Sequence, residues 1–536
     1  MIYLDKILLF IFKKSIGIFI FFLIFWGAFL FFSGTISSGF RLAMDDIGII
    51  ELNNSIHLKG GWNTLINYLI TDLHIRFKPV FNIHFVLETK IFGINFVAWS
   101  IYTGLLGILT SFFIFKFAIK IGISYFYAFA FTFLSLVGLQ SELWWRTDDS
   151  ESLSLFLFSI ALFFQSRTIF DTPSTTNRTS YITFIILFVF CKESFVLLLP
   201  GFFLLHVWLY KIRNNATFLD SLLKHWKLSL AMGCLAILEL SIIIFYVGTN
   251  KIGYAGIDTH SSIKTMINEF FLSFNLTPFL FFTIALFTGF ILFFYNILIN
   301  KNFSNRRAHK NDINSFLQFF IPHIVICLIF ILPQHILYAK SGFTQRYLIP
   351  VMMWYAFMVC FFYNFISENH FLKKAQENFL KISLLLLMSI VFRHSILHAN
   401  VYAEDGRKLD MLFTEITSQT SDNDTILLVL DAQKTCELNT AMQAYSERVG
   451  KERNNRFLYI YNNENEKDQF LRDLTKKCIQ SNKGHFIEDL KDTKNIKYIV
   501  IFPSLFDYFK NNNMWFVDDN FTASYIRDIK LMKRKK

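Results

Sequence analysis

The stretch YITFIILFVFCKESFVLLLPGFFLLHVWLY, residues 181–210, decides the fold. It is apolar throughout except for a few polar positions, chiefly Lys192, Glu193 and Ser194 near its middle. One continuous helix would hold two charges deep in a bilayer, at about 2.5 to 3.5 kcal/mol each on insertion scales. A hairpin or re-entrant turn at the membrane surface avoids that cost. The segment CKES, residues 191–194, is therefore read as a turn between two spans, with Lys192 directed at a surface cavity.

Similar apolar runs fall at roughly 15–34, 92–115, 121–139, 152–165, 181–191, 194–210, 228–247, 277–299, 316–337, 347–366 and 380–395. These predict a polytopic α-helical membrane protein with about 11 transmembrane helices. Composition agrees, since 536 residues at 54% hydrophobic and a mean hydropathy of +0.41 exceed what a water-soluble core requires. The first run follows Lys13 and Lys14, is too long for a signal-peptide core and has no small-x-small cleavage site after it. It reads as a retained anchor.

The net charge of +12 is spread over short loops and forms no basic stripe flanked by stacking aromatics, which argues against a nucleic-acid partner. With the N-terminus inside, the inward loops carry the bases, from Lys116 and Lys120 through Arg167 and Arg178 to Lys373 and Lys374. That is the positive-inside pattern. The same alternation sets four segments on the outer face: the loop 35–91, SELWWRTDDSE at 141–151, the CKES turn, and YAKSGFTQRY at 338–347. An odd number of spans sends the tail there too.

The domain division is therefore a transmembrane domain over 1–398 and a soluble α/β domain over 399–536 on the outer face. In the tail, TILLVL, RFLYIY and KYIVIF read as strands alternating with helical stretches such as 432–450. Cys436 and Cys478 are its only cysteines, and an oxidising exterior would permit a disulfide whose formation the sequence does not decide. Cys191, Cys234, Cys327 and Cys360 lie in apolar runs without metal-ligand spacing. In the first outer loop Trp62, Leu65, Ile66, Leu69, Ile70 and Leu73 recur at helical spacing, as in a helix lying on the membrane interface.

The outer face carries the candidate chemistry. Asp45 and Asp46 follow the first span; alone they read as acids capping a helix that starts near Ile47. WWRTDDSE adds Arg146, Asp148, Asp149 and Glu151, which alone would be an interfacial loop. Lys78, Lys192 and Arg346 supply cations; a lone base at such a place is usually a snorkelling anchor, but a guanidinium also grips phosphate through two parallel hydrogen bonds. No ATP or nucleotide sugar is expected on that side, so a transferase there needs an activated donor carried by lipid. A polyprenyl-phosphate-linked sugar meets the need, with a base for the acceptor proton and cations for the departing phosphate. Asp148, Asp149 and Glu151 could hold a hard divalent cation, though adjacent acids in a loop do not establish one, and no other cofactor is indicated.

In this arrangement the chain resembles the integral-membrane glycosyltransferases of the C-type fold, the superfamily of protein O-mannosyltransferases and aminoarabinose transferases. The resemblance covers most of residues 1–395 and rests on MDD after the first span, the Lys78–Pro79 step leading to IFGINFVAWSIYTGLLGILTSFFIF, RTDDSESLSLFLFSIALFF, LFVFCKESFVLLLP and QRYLIP. It implies inverting, metal-optional transfer. Asp45 or Asp46 would position or deprotonate the acceptor, Arg346 and Lys192, with Lys78, would take the donor phosphate, and Arg146, Asp148, Asp149 and Glu193 would contact substrate. The chain has Asp-Asp where the mannosyltransferases have Asp-Glu and lacks a double proline in its first loop, so the acceptor, whether glycan, lipid or protein, stays open. Glucosylation of lipopolysaccharide O-antigen at a bacterial inner membrane, with the site on the periplasmic side, is the first choice, and protein O-glycosylation an alternative.

Glu239, mid-span in GCLAILELSIII, would suit a transporter or flippase. Against that class, the two halves show no matched interrupted helices and the other acids crowd the outer face. An O-antigen polymerase would share a large outer loop and arginines but would not need the early acidic pair.

Overall fold

The computed structural model describes residues 14–38, 44–73, 76–147, 150–247, 263–273, 277–299, 306–338, 347, 349–369, 371–419, 424–429, 456–460, 485–486, 496–501, 521–527 and 529–535. Its helices run in chain order as α1 Ser15–Phe32, α2 Met44–Lys59, α3 Gly61–Leu73, α4 Pro79–Phe92, α5 Phe96–Lys120, α6 Tyr125–Leu136, α7 Ser150–Phe170 and α8 Thr175–Val189. They continue as α9 Leu199–Asn214, α10 Phe218–Lys224, α11 Trp226–Ser241, α12 Ile263–Ser273, α13 Thr277–Ile299, α14 Arg306–Tyr338, α15 Val351–Glu368 and α16 Lys374–Gln419. Two 3-10 turns, Leu139–Trp144 and Glu193–Leu198, lead into α7 and α9, and a π turn, Ile242–Val247, extends α11.

Each apolar run of the sequence falls on one of these helices. Among the described residues nine helical segments are long and apolar enough to cross a membrane. The other two runs form α6, of 12 residues, and α8, of 15, both shorter than the roughly 20 residues a perpendicular span requires. The architecture is a polytopic helical membrane fold. On α13 the lipid-facing stripe is plain: Leu280, Ile284, Phe287, Ile291 and Phe294 are exposed at spacings of three and four, while Phe279, Phe282 and Phe293 are buried on the opposite side.

The chain forms two compact units. The first comprises Met1–Ser33, Leu65–Phe85 and Ser100–Ala399; the second comprises Gly34–Thr64, Val86–Trp99 and Asn400–Lys536. The core of the first is aromatic. Phe330 stacks on Trp354 with ring centroids 3.7 Å apart, and Phe158 meets Phe202 edge-on at 4.8 Å. A Cβ on Gly201 would stand 2.7 Å from the buried ring of Phe330, so only glycine lets α9 and α14 approach this closely.

In the second unit a six-stranded sheet has the order β3-β2-β1-β4-β6-β5, with β1 Thr425–Val429, β2 Arg456–Ile460, β3 His485–Phe486, β4 Ile496–Ile501, β5 Phe521–Ile526 and β6 Ile529–Arg534. The first four strands in that order are parallel, and β6 joins β4 antiparallel as one arm of the β5–β6 hairpin. The apolar runs TILLVL, RFLYIY and KYIVIF coincide with β1, β2 and β4. Interior parallel strands are buried on both faces and so read as unbroken apolar runs. The hairpin closes in two residues, and Arg527 takes the positive φ of 57° that such a turn demands. The end of α16 is tied to the sheet by Gln419, which accepts from Tyr498 at 2.9 Å and from Lys533 at 2.7 Å. Residues 432–450, Cys436 and Cys478 lie outside the described residues.

Candidate active site

The 181–210 stretch breaks where its charges fall. α8 ends at Val189, Lys192 is fully extended with φ −158° and ψ 126°, and the chain re-enters as the Glu193–Leu198 turn before α9. Pro200 sits at the first positions of α9, where its missing N–H costs nothing.

Three further segments of the first unit converge on this break. Arg76–Val80 docks on one side: the Val80 N–H donates to the Phe190 carbonyl at 3.1 Å, Phe77 meets Phe190 edge-on at 5.7 Å, and Arg76 Nε lies 3.9 Å from Glu193 Oε1. The same short segment carries Lys78, whose ammonium lies 4.7 Å from the Phe81 ring centroid. The start of α7 docks on another side, with the buried Lys192 ammonium hydrogen-bonded to Glu151 Oε1, while Ser150 Oγ donates to Glu151 Oε2 at 3.0 Å. The third is Tyr347, whose ring centroid lies 4.7 Å from Lys192 Nζ. Arg76–Val80, the start of α7, the Lys192 turn and Tyr347 thus share one end of the helices.

The opposite ends carry different chemistry. There Asp171 joins Lys120 and accepts from Arg167 Nε at 2.9 Å, the Ser124 N–H donates to Asn364 at 2.9 Å, and Asn296 donates to Gln376 at 2.9 Å. Burial would push the Asp171 carboxyl up, but the hydrogen bonds from Lys120 and Arg167 hold it below the usual carboxylate range. A cavity of about 390 Å³ lined by Gly122, Phe361, Asn364 and Glu368 opens at this end, away from Lys192.

The other candidates stand as follows. Arg146 pairs with Glu142 at 2.8 Å inside its own turn. Asp45 and Asp46 lie in the second unit, inside the first turn of α2, which starts at Met44, three residues before the expected Ile47. Asp148, Asp149 and Arg346 lie outside the described residues. Among the described residues no group of three or more His, Cys, Asp or Glu is placed to hold a metal ion. Sequence reasoning passed over Arg76, the partner of Glu193, and Tyr347, the neighbour of Lys192. Arg76 carried a signal, being a second base within three residues of Lys78; the Tyr347 contact spans 155 positions and has no local signal.

Compared with known proteins, the chain matches no family model and no curated protein. Among solved structures it is similar to a crystal structure of ArnT from Cupriavidus metallidurans in the apo state, with a TM-score of 0.47, 11% identity, and coverage of 95% of this chain and 97% of that chain.

Proposed function

We propose that the protein is a membrane glycosyltransferase that moves a sugar from a polyprenyl-phosphate donor to a cell-envelope acceptor. The observation that carries this reading is the convergence of Arg76–Val80, the start of α7 and Tyr347 on the Lys192 turn. It sets cations and carboxylates at one end of apolar helices, the depth at which a lipid phosphate sits. Basic clusters at the opposite ends mark the cytoplasmic side by the positive-inside rule, so the site faces away from nucleotide sugars.

In the reaction, Asp45 or Asp46 takes the proton of an acceptor hydroxyl as its oxygen attacks the anomeric carbon. The bond from that carbon to the phosphate oxygen breaks, and polyprenyl phosphate leaves with the electron pair. Lys192, Arg346 and Lys78 stabilise the negative charge that gathers on the phosphate. Attack opposite the leaving group inverts the anomeric centre. Arg146, Asp148, Asp149 and Glu193 contact sugar or acceptor, and a divalent ion at Asp148 and Asp149 remains part of the proposal only as an optional aid. Glucosylation of O-antigen at a bacterial inner membrane fits the outward-facing site.

The test is transfer by protein reconstituted in liposomes and supplied with labelled polyprenyl-phosphate sugar or with the same sugar as a nucleotide diphosphate. Label should pass to an envelope glycolipid from the first donor only, with release of polyprenyl phosphate. Arg346→Ala should raise the apparent KM for that donor more than for the acceptor. Transfer from the nucleotide sugar alone would overturn the reading.

A further inference from the structure

Behind the Lys192 turn lies a second group of polar atoms, of which only Glu193 has a part in the proposed reaction. Glu239, in the last turn of α11, is fully buried, and among the described residues neither of its carboxylate oxygens has a hydrogen-bond partner. The same holds for Glu193 Oε2, Ser194 Oγ and Gln334 Oε1, all buried atoms. They lie on elements that pack around one turn. The helices α11 and α14 both pack on the Glu193–Leu198 turn, Gln334 Nε2 donates to the Ser194 carbonyl at 3.4 Å, and Glu239 is within electrostatic reach of Glu193 and Cys191.

Two features fix what such a group would bind. The atoms are oxygens, and all but the serine hydroxyl can only accept, so they call for hydrogen-bond donors or a cation. The salt bridges differ as well: Glu151 pairs with Lys192 and Glu193 with Arg76, while Glu239 has none among the described residues, and a buried carboxylate without counter-charge is costly. We propose that Glu239, Glu193, Ser194 and Gln334 form a binding site for one alkali-metal cation. Carboxylate, hydroxyl and amide oxygens are the ligands hard cations take. A single positive charge offsets Glu239, the one carboxylate of the group without a salt bridge among the described residues, whereas a divalent ion would bring one charge more than that carboxylate meets. The bound ion ties α11 and α14 to the turn that carries Lys192, and so stiffens the turn. The site stands whether or not the chain transfers sugar.

The experiment is thermal unfolding of the full chain in detergent, titrated with sodium or potassium chloride at constant ionic strength set by choline chloride. The midpoint should rise with at least one of the two ions and saturate as one-site binding requires. Glu239→Gln, which keeps the shape and removes the charge, should abolish the rise, and Ser194→Ala should move half-saturation to a several-fold higher concentration. If Glu239→Gln does not fold, the wild-type titration and Ser194→Ala still decide. A midpoint equal in choline, sodium and potassium would overturn the proposal. So would a rise kept in full by Glu239→Gln, or one given by magnesium or calcium but by neither alkali ion.

Discussion

Lys192 and Glu151 come from segments 41 positions apart and are both buried, so their pairing is a buried ion pair within the first unit. Removing two charges from water is costly, and their attraction repays that cost only while both are present. Removing one partner of a buried pair typically costs about 3 to 5 kcal/mol, while replacing both by apolar groups is often neutral. Lys192→Met and Glu151→Leu should each lower stability by about 3 kcal/mol or more, and the double variant by less than either. Thermal unfolding checks this, and losses that simply add would contradict it. The double variant, though folded, should not transfer sugar, which separates the structural part of Lys192 from its part in the reaction.

On α13 the stripe from Leu280 to Phe294 is exposed among the described residues, so in a membrane a charge there would face hydrocarbon. Phe287→Asp should reduce the membrane-integrated fraction, at a cost of about 2.5 to 3.5 kcal/mol, and alkaline extraction of membranes measures it; unchanged integration would contradict the lipid-facing assignment. These elements were legible in the sequence because their signal is local. Apolar runs gave the spans, the spacing of Trp62, Ile66 and Ile70 gave α3 with those three residues exposed, and charges inside an apolar run gave the break at Lys192. The β5–β6 hairpin was not legible, because β5 alternates small and polar residues on an exposed edge and its turn uses Arg527 where glycine or asparagine would have announced it. Glu239 stood out as a mid-span acid, but its place near the Glu193–Leu198 turn depends on helix packing that no periodicity encodes.

As a whole the molecule divides into a helical unit, with charged clusters around Lys192 at one end and around Asp171 at the other, and a second unit built from three segments far apart in sequence. Such an assembly depends on contacts over hundreds of positions, whereas hydropathy and turn chemistry act over about twenty residues. The early acids of α2 therefore had to be matched to the later cations by chemistry. One measurement bears on that match most directly: turnover of polyprenyl-phosphate sugar by Asp45→Asn and Asp46→Asn, made singly in chains shown to insert normally. Loss of transfer in at least one of them is expected, because an amide cannot take the acceptor proton. Full turnover in both would contradict the assignment of the base, and with it the proposed enzyme.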